Sequence, residues 1–395
     1  MQKDPVVIVA IGRTPQGNLL GTLKDFSAPQ LGSAVIKALV ERATLSPEKI
    51  NEVLMGCVLP AGLGQAPARQ AALNAGLSPH TSCTTLNKMC GSGMKAVMFA
   101  HDILLANPER IMIAGGMESM TNSPYLIPKA RAGYRFGHGT LIDSTLYDGL
   151  EDAYDPGRPM GYFAELTAKT YGFSRAAQDD YARTSFLRAR KAIANKSFDQ
   201  EIVPLLQKTK QGEKIIHTDE RPLSVNIEKM PELPPAFAKD GTVTAGNASS
   251  VSDGAAGLLL MRQSQAEKLG CTPLAKIIAY SGYAATPSEF TTAPIHATRA
   301  LLEKISWTVA DVDLFEINEA FAVVAMVAMK ELKIPHEKLN IHGGGCALGH
   351  PIGATGARII VTLLSALQQQ NSQRGVASLC IGGGEATALA LERIS

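Results

Sequence analysis

Short apolar runs alternate along the chain with longer stretches in which apolar residues recur every three or four positions. "VVIVAIG" (6–12) is apolar throughout and too short for a helix, which predicts a strand buried on both faces. "LGSAVIKALVERA" (31–43) places Leu31, Ala34, Val35, Ala38 and Leu39 on one helical face, so it predicts a helix lying on a sheet. "EVLMGCVLP", "RIMIAGGM" and "AAGLLLMR" continue the strand series. From about residue 272 the pattern begins again, with "LAKIIAYSGYA" as strand, "ATRALLEKI" as helix, "LFEIN" as strand, a further helix, and "VASLCIGGG" and "TALALER" as closing strands.

The restart reads as an internal repeat. "LSPEKINEVLMG" (45–56) and "WTVADVDLFEIN" (307–318) share a turn, a helix stub and a strand, and "RIMIAGGMES" resembles "SLCIGGGEAT". Two helices set how the halves meet. "GSGMKAVMFAHDILLA" (91–106) carries only Lys95, His101 and Asp102 as ionisable residues, and "GATGARIIVTLLSAL" (353–367) only Arg358. A helix apolar on nearly every side is buried on nearly every side. The economical arrangement puts both in a central layer between two sheets with amphipathic helices outside, an α/β fold in five layers, α-β-α-β-α. The expected partition is 1–118 with 250–271 as the N-terminal half, 272–395 as the C-terminal half, and 119–249 as an inserted loop domain. That insertion, with "KARAGYRFGH" and "ERPLSVNIEKMPELPPAF", is rich in Pro, Tyr and charge and reads as loops and short helices over a site.

Composition narrows the classes. The chain has 395 residues, 45% of them hydrophobic and 19% charged, with a net charge of +2, which gives no reason to expect nucleic acid or an acidic membrane surface. No signal-peptide pattern and no membrane-span pattern is visible, so a cytoplasmic location is expected. The six cysteines contain no C-x-x-C pair and read as reduced thiols, most of them packed as small hydrophobes.

One of them stands apart. "LNKMCGSGM" (86–94) places Cys90 at the start of a buried helix, where free N–H groups and the positive end of the dipole favour a thiolate. On that stretch alone a nucleophile and a buried structural cysteine are both open. "HGGGCALGHPIGATGAR" (342–358) adds His350 in a glycine-rich loop before the second buried helix, "LCIGGGE" (379–385) adds Cys380 at a strand end, and "EINEAFA" (316–322) adds Asn318. A zinc site from His342, His350, Cys346 and Cys380 lacks a chelating pair. A dinucleotide site from "GSGMKA" lacks a following ribose-binding acid, so no metal or cofactor is expected.

"NKMCGSG", "GNASSVSDGAA" (246–256), "NEAFA", "GCALGHPIGATGAR" and "CIGGG" stand in the order, and over the full length, that resembles the thiolases, and "RTPQGNLLGTLKDFSAPQLG" is most similar to their short-chain biosynthetic branch. The resemblance implies reversible Claisen condensation of two acetyl-CoA to acetoacetyl-CoA and CoA through an acyl-enzyme. Coenzyme A is then substrate and product, with no other cofactor. It also implies a homotetramer, with 119–140 as the second contact. By position it makes Cys90 the nucleophile, His350 its base, Cys380 the acid/base at the α-carbon, and Asn318 the anchor of a water in one oxyanion hole. The N–H groups of Cys90 and Gly382 form the other hole. Ser249, Phe237, Leu150, Met160, Ala320 and Phe321 fall on the pantetheine tunnel, and Arg221 is a candidate for phosphate or adenine; Lys129, Arg131 and Arg135 are further basic residues of the insertion.

Two departures bear on specificity. "RPMGYFAE" (158–165) has Pro159 where short-chain members commonly have His, in a loop one residue longer, which leaves a 3-ketoacyl-CoA thiolase of broader chain length as the alternative. Glu385 also differs from the usual residue after "CIGGG". Cys346 is expected to be packing, and Cys57, Cys83 and Cys271 structural. A decarboxylating ketoacyl synthase on the same fold has no place for Cys380. A catalytically dead carrier does not account for an intact set of four reactive residues.

Overall fold

The computed structural model describes residues 4–210 and 212–394. The N-terminal half runs β1 (Val6–Arg13), α1 (Ala28–Arg42), β2 (Glu52–Gly56), α2 (Pro67–Asn74), β3 (Ser82–Leu86), α3 (Ser92–Ala106) and β4 (Ile111–Ser119). An insertion with two long helices follows, α4 (Met160–Tyr171) and α5 (Arg175–Ala194), before β5 (Ser252–Arg262) returns to the sheet. The C-terminal half runs β6 (Ala275–Ala284), α6 (Ala293–Lys304), β7 (Leu314–Ile317), α7 (Ala322–Leu332), α8 (Ile352–Gln369), β8 (Arg374–Ile381) and β9 (Glu385–Arg393).

The repeat read from the sequence is a repeat of topology. In the N-terminal half the strands lie in the order β1-β5-β4-β2-β3, and in the C-terminal half β6-β9-β8-β7. Each half pairs its first three strands antiparallel and then turns parallel, at β4·β2 and at β8·β7. The fifth position of the C-terminal sheet is reduced to a single parallel bridge between Phe315 and Leu339. The two sheets touch through β1 and β6, where Val7 pairs with Lys276 and Ile8 with Ala275.

Between them lie α3 and α8. Every residue of α8 from Ile352 to Leu367 is buried, and both helices share one apolar cluster with inward residues of both sheets, such as Ile8, Leu258, Leu379 and Leu389. The outer faces carry α1 and α2 on one side and α5, α6 and α7 on the other, each over its own cluster. This is the five-layer stack the pattern predicts. The two central helices approach so closely that side chains are excluded at the contact. A Cβ on Gly93 would lie 2.8 Å from the Ala357 nitrogen, and one on Gly356 2.4 Å from the Met94 nitrogen. The glycines of "CGSG" and "GATGA" therefore set the depth at which the starts of α3 and α8 meet.

The insertion is more regular than expected. α5 spans 20 residues, with Tyr181, Ala182, Ser185, Phe186, Ala189 and Ala192 buried at helical spacing and Ser174 accepting from the Ala177 N–H as its cap. Its buried side is built from alanines and two aromatic rings among many arginines, so the apolar stripe is short of the large aliphatics that mark a helix at sequence level.

Candidate active site

Cys90 sits in a turn whose side chains lock one another. Asn87 Oδ1 accepts from the Met89 N–H (2.9 Å), Ser92 Oγ accepts from the Lys88 N–H (2.8 Å) and donates to the Met89 carbonyl (2.6 Å). These bonds hold Met89 at φ 46°, in the left-handed region that a side chain seldom enters, and so lift Cys90 clear of the strand before α3 begins. Lys88 forms an ion pair with Glu385, which joins this turn to the start of β9. On the opposite sheet β8 ends at Ile381, and Gly383 and Gly384 turn the chain at φ 92° and 88°. The Gly382 N–H and the Cys90 N–H both face the Cys90 sulfur.

The placement at a helix start does not by itself yield a thiolate. Burial raises the Cys90 thiol to about 11, against the opposing pull of the Gly382 and Cys90 N–H groups, with the nearby Glu118 carboxylate raising it further. Burial, and then Cys90 itself, push the Cys380 thiol up as well. A proton acceptor is therefore required.

His350 has the form of one. Its Nδ1 lies 2.7 Å from Thr355 Oγ1, which donates its own proton to the Pro351 carbonyl (2.9 Å). Thr355 is thus left as acceptor, Nδ1 carries the imidazole proton, and the Nε2 lone pair, buried and without a protein partner, is free. Burial, helped by the Arg358 guanidinium, holds the ring neutral with a pKa lowered to about 3. The main chain of His350 is fixed where its N–H meets the Ser250 carbonyl and Ser252 Oγ, both at 3.2 Å. Gly349 passes at φ 103° in front of Ser252, where a Cβ would lie 2.3 Å from Oγ.

Around these groups lies a mostly apolar cavity of about 260 Å³. Cys90, His350, Cys380 and Gly382 line it, together with Ser249, Phe237, Leu150, Met160, Ala320 and Phe321. Elements of all three segments deliver them. Phe237 stacks edge-on against Phe321 at 5.9 Å and covers Gly161 at the start of α4. Glu165 accepts from Thr242 and Val243, which fixes the loop bearing Phe237. Ser249 donates to the Ala320 carbonyl through both its N–H and its hydroxyl, at 2.9 Å each. Pro159, Leu146, Phe290 and Ile352 complete the apolar wall.

Two expected residues lie outside that lining. Asn318 is buried behind it, with Oδ1 accepting from Arg358 at 3.4 Å and Nδ2 without a protein partner. Arg221 is occupied within the fold: Nε donates to the Cys346 carbonyl and Nη2 to the Ala245 carbonyl, both at 2.8 Å. It ties the glycine loop to the "GNASS" segment, and those donors are not free for a phosphate. Lys129, Arg131 and Arg135 are exposed. Cys346 is fully buried and Cys57, Cys83 and Cys271 are free thiols off the cavity. Among the described residues no group of three or more His, Cys, Asp or Glu side chains could hold a metal ion.

Sequence reasoning missed the carboxylates that hold this architecture. Glu319 accepts from Tyr181 (3.0 Å), Ser185 (2.7 Å), Asn340 (2.8 Å) and the Cys346 N–H (3.1 Å), binding the 343–348 loop to α5. Glu118 accepts from the Val58, Leu59 and Gly353 N–H groups and so pins the start of α8 to β4 and to the segment that follows β2. An acidic residue ending an otherwise apolar strand is the visible signal for Glu118.

The chain matches the model of the thiolase N-terminal domain over residues 6–264 and that of the thiolase C-terminal domain over 271–393. It belongs to the thiolases. An acetyl-CoA acetyltransferase of Schizosaccharomyces pombe is 45% identical over 396 residues and covers 100% of both chains. One of Cupriavidus necator is 45% identical over 390 residues, covering 98% of this chain and 99% of the relative. Among solved structures, a Bacillus anthracis acetyl-CoA acetyltransferase superposes with TM-score 0.96 at 40% identity, covering 99% of both chains. An Ascaris suum thiolase solved with coenzyme A gives 0.93 at 38%, covering 99% of this chain and 100% of its own. The motifs around Cys90, Ser249, Ala320, His350 and Cys380 each contribute to the cavity lining, beside residues outside them such as Met160 and Phe237.

Proposed function

We propose that this thiolase is an acetyl-CoA C-acetyltransferase that condenses two acetyl-CoA to acetoacetyl-CoA and CoA, reversibly, through an acyl-enzyme on Cys90. The observation that carries the reading is the convergence on one cavity of two cysteines and a neutral histidine whose Nε2 lone pair is unshared. His350 Nε2 takes the Cys90 proton as the sulfur attacks the thioester carbon. The bond from that carbon to the CoA sulfur breaks, and the departing CoA thiolate leaves with the proton from His350. His350, neutral again, then takes the Cys380 proton, and the Cys380 thiolate so formed removes an α-proton from the second acetyl-CoA. The enolate carbon attacks the acetyl carbonyl on Cys90, a C–C bond forms, the Cys90 C–S bond breaks, and the His350 proton passes to the Cys90 thiolate, which leaves both cysteines as thiols and His350 neutral. Burial that raises the Cys380 pKa makes its thiolate a stronger base for a carbon acid. Gly382 and Cys90 N–H groups serve the oxyanion of the acyl-enzyme, and a water held by Asn318, with the Nε2–H that His350 carries in this half-reaction, serves the enolate oxygen.

The apolar wall of Pro159, Met160, Leu146, Leu150, Phe290 and Ile352 favours a second reading within the family, cleavage of longer 3-ketoacyl-CoA. Residues 119–249 act as an inserted domain between the halves 1–118 with 250–271 and 272–395. Coenzyme A enters only as substrate and product, and the location is cytoplasmic. Among the described residues no helix is long and apolar enough to cross a membrane. Exposed Tyr125, Ile127, Tyr134 and Phe136 support a homotetramer whose second contact is the 119–140 segment. The test is CoA-dependent loss of acetoacetyl-CoA with formation of two acetyl-CoA; no turnover by the folded protein refutes the reading.

A further inference from the structure

Arg358 is buried to 1% exposure inside the central layer and makes few bonds there. Its Nη2 donates to Asn318 Oδ1 (3.4 Å), its Nη1 faces Glu316 Oε2 (3.5 Å), and Nε and Nη1 lack a hydrogen-bond acceptor. A buried guanidinium so sparsely satisfied costs stability compared with an apolar residue of similar volume, so packing does not account for it. What it does reach is informative. Glu316 and Asn318 lie two apart at the end of β7, on the face turned to α8, and the guanidinium bridges them. Thr355, one helical turn earlier on α8, holds His350. One face of α8 therefore supports both polar groups of the enolate hole.

An amide can turn over with little change of shape, and the two orientations are chemically opposite. With Oδ1 against Arg358, Asn318 leaves Nδ2 free of protein partners, as a donor. Turned over, it would offer an acceptor instead and set two donors against the guanidinium. We propose that Arg358, anchored by Glu316, is a positioning residue that fixes the Asn318 amide in its donor-forward orientation for the enolate-forming half-reaction. The inference rests on the role given to Asn318 under the proposed function.

The test compares the Arg358→Gln/Glu316→Gln variant, which removes both charges and leaves no lone buried ion, with Asn318→Ala and with the triple variant. Acetylation of Cys90 by acetyl-CoA and turnover of acetoacetyl-CoA are measured separately. The expected result is acetylation within about threefold of the parent, kcat for turnover down by about tenfold or more with KM within about threefold, and a triple variant no more than about twofold slower than Asn318→Ala. Losses that multiply in the triple variant, or an equal fall in both half-reactions, overturn the proposal. Should the neutral pair fail to fold, Arg358→Lys keeps the charge without the planar fork and is expected to show the same split; unimpaired turnover in folded Arg358→Lys overturns it. A parent protein that never acetylates Cys90 instead refutes the proposed function, and the two failures are distinct.

Discussion

Replacing Thr355 by Val isolates the bond that sets the proton on His350. The exchange keeps the branched shape and fills the same space in α8, but removes the oxygen 2.7 Å from Nδ1. The buried Nδ1–H then has no acceptor, which costs about 1–3 kcal/mol. The ring can escape that cost by moving its proton to Nε2, the nitrogen that must accept from Cys90. Reaction from this second tautomer must first restore the first, so the same 1–3 kcal/mol is added to the barrier, a slowing of about 5- to 150-fold. Rapid-quench measurement of Cys90 acetylation by acetyl-CoA, with melting curves to confirm the fold, reads this directly. Thr355→Ser retains the hydroxyl and is expected within about threefold of the parent. A folded Thr355→Val that acetylates at the parental rate would refute the tautomer argument, and with it the role of Thr355.

Three further outcomes follow from the same geometry. Cys380→Ser is expected to retain acetylation of Cys90 and to lose acetoacetyl-CoA turnover by at least about a hundredfold, because a hydroxyl is a far poorer base; equal losses in both steps contradict the assignment. Since burial raises the Cys90 thiol to about 11, its alkylation by iodoacetamide in the free enzyme is expected to climb with pH without a plateau below about pH 10. A plateau near pH 7 would show a resting thiolate. The apolar wall with Pro159 is expected to accept 3-ketohexanoyl-CoA with kcat/KM within about a hundredfold of acetoacetyl-CoA, since each methylene buried returns about 0.8 kcal/mol; a deficit of about a thousandfold shows a closed pocket.

The layer order was legible because it depends on features that periodicity reports. The apolar character of α3 and α8 on all sides requires a central layer, and the restart near residue 272 marks a second sheet with the same strand order. The candidate residues Cys90, His350 and Cys380 were legible because each lies in or beside a glycine-rich turn where an element begins or ends, and Asn318 because it follows the end of a strand. α5 was obscured because its buried side is largely alanine, which carries little hydropathy signal, and its arginines weight the stretch as polar, although the helix buries one whole side. Glu319, Glu118 and Arg358 were not read as parts of the site, because their effect is exerted through hydrogen bonds to segments distant in sequence; Thr355 reaches His350 across the single turn that opens α8, a contact set by the fold of that turn. Glu118 reaches Gly353, and Glu319 reaches both Tyr181 and Cys346. Cys90 is half-buried, and its apolar surroundings raise the thiol against the pull of the helix start, which a local pattern shows while the surroundings stay hidden in it.

The central claim is that an acyl group passes through Cys90. Mass spectrometry of the protein mixed with acetyl-CoA and digested should find one acetyl group on the peptide bearing Cys90, lost again on addition of CoA and absent in Cys90→Ala. A stable acetyl group on any other residue, or full acetoacetyl-CoA turnover by Cys90→Ala, would contradict the account.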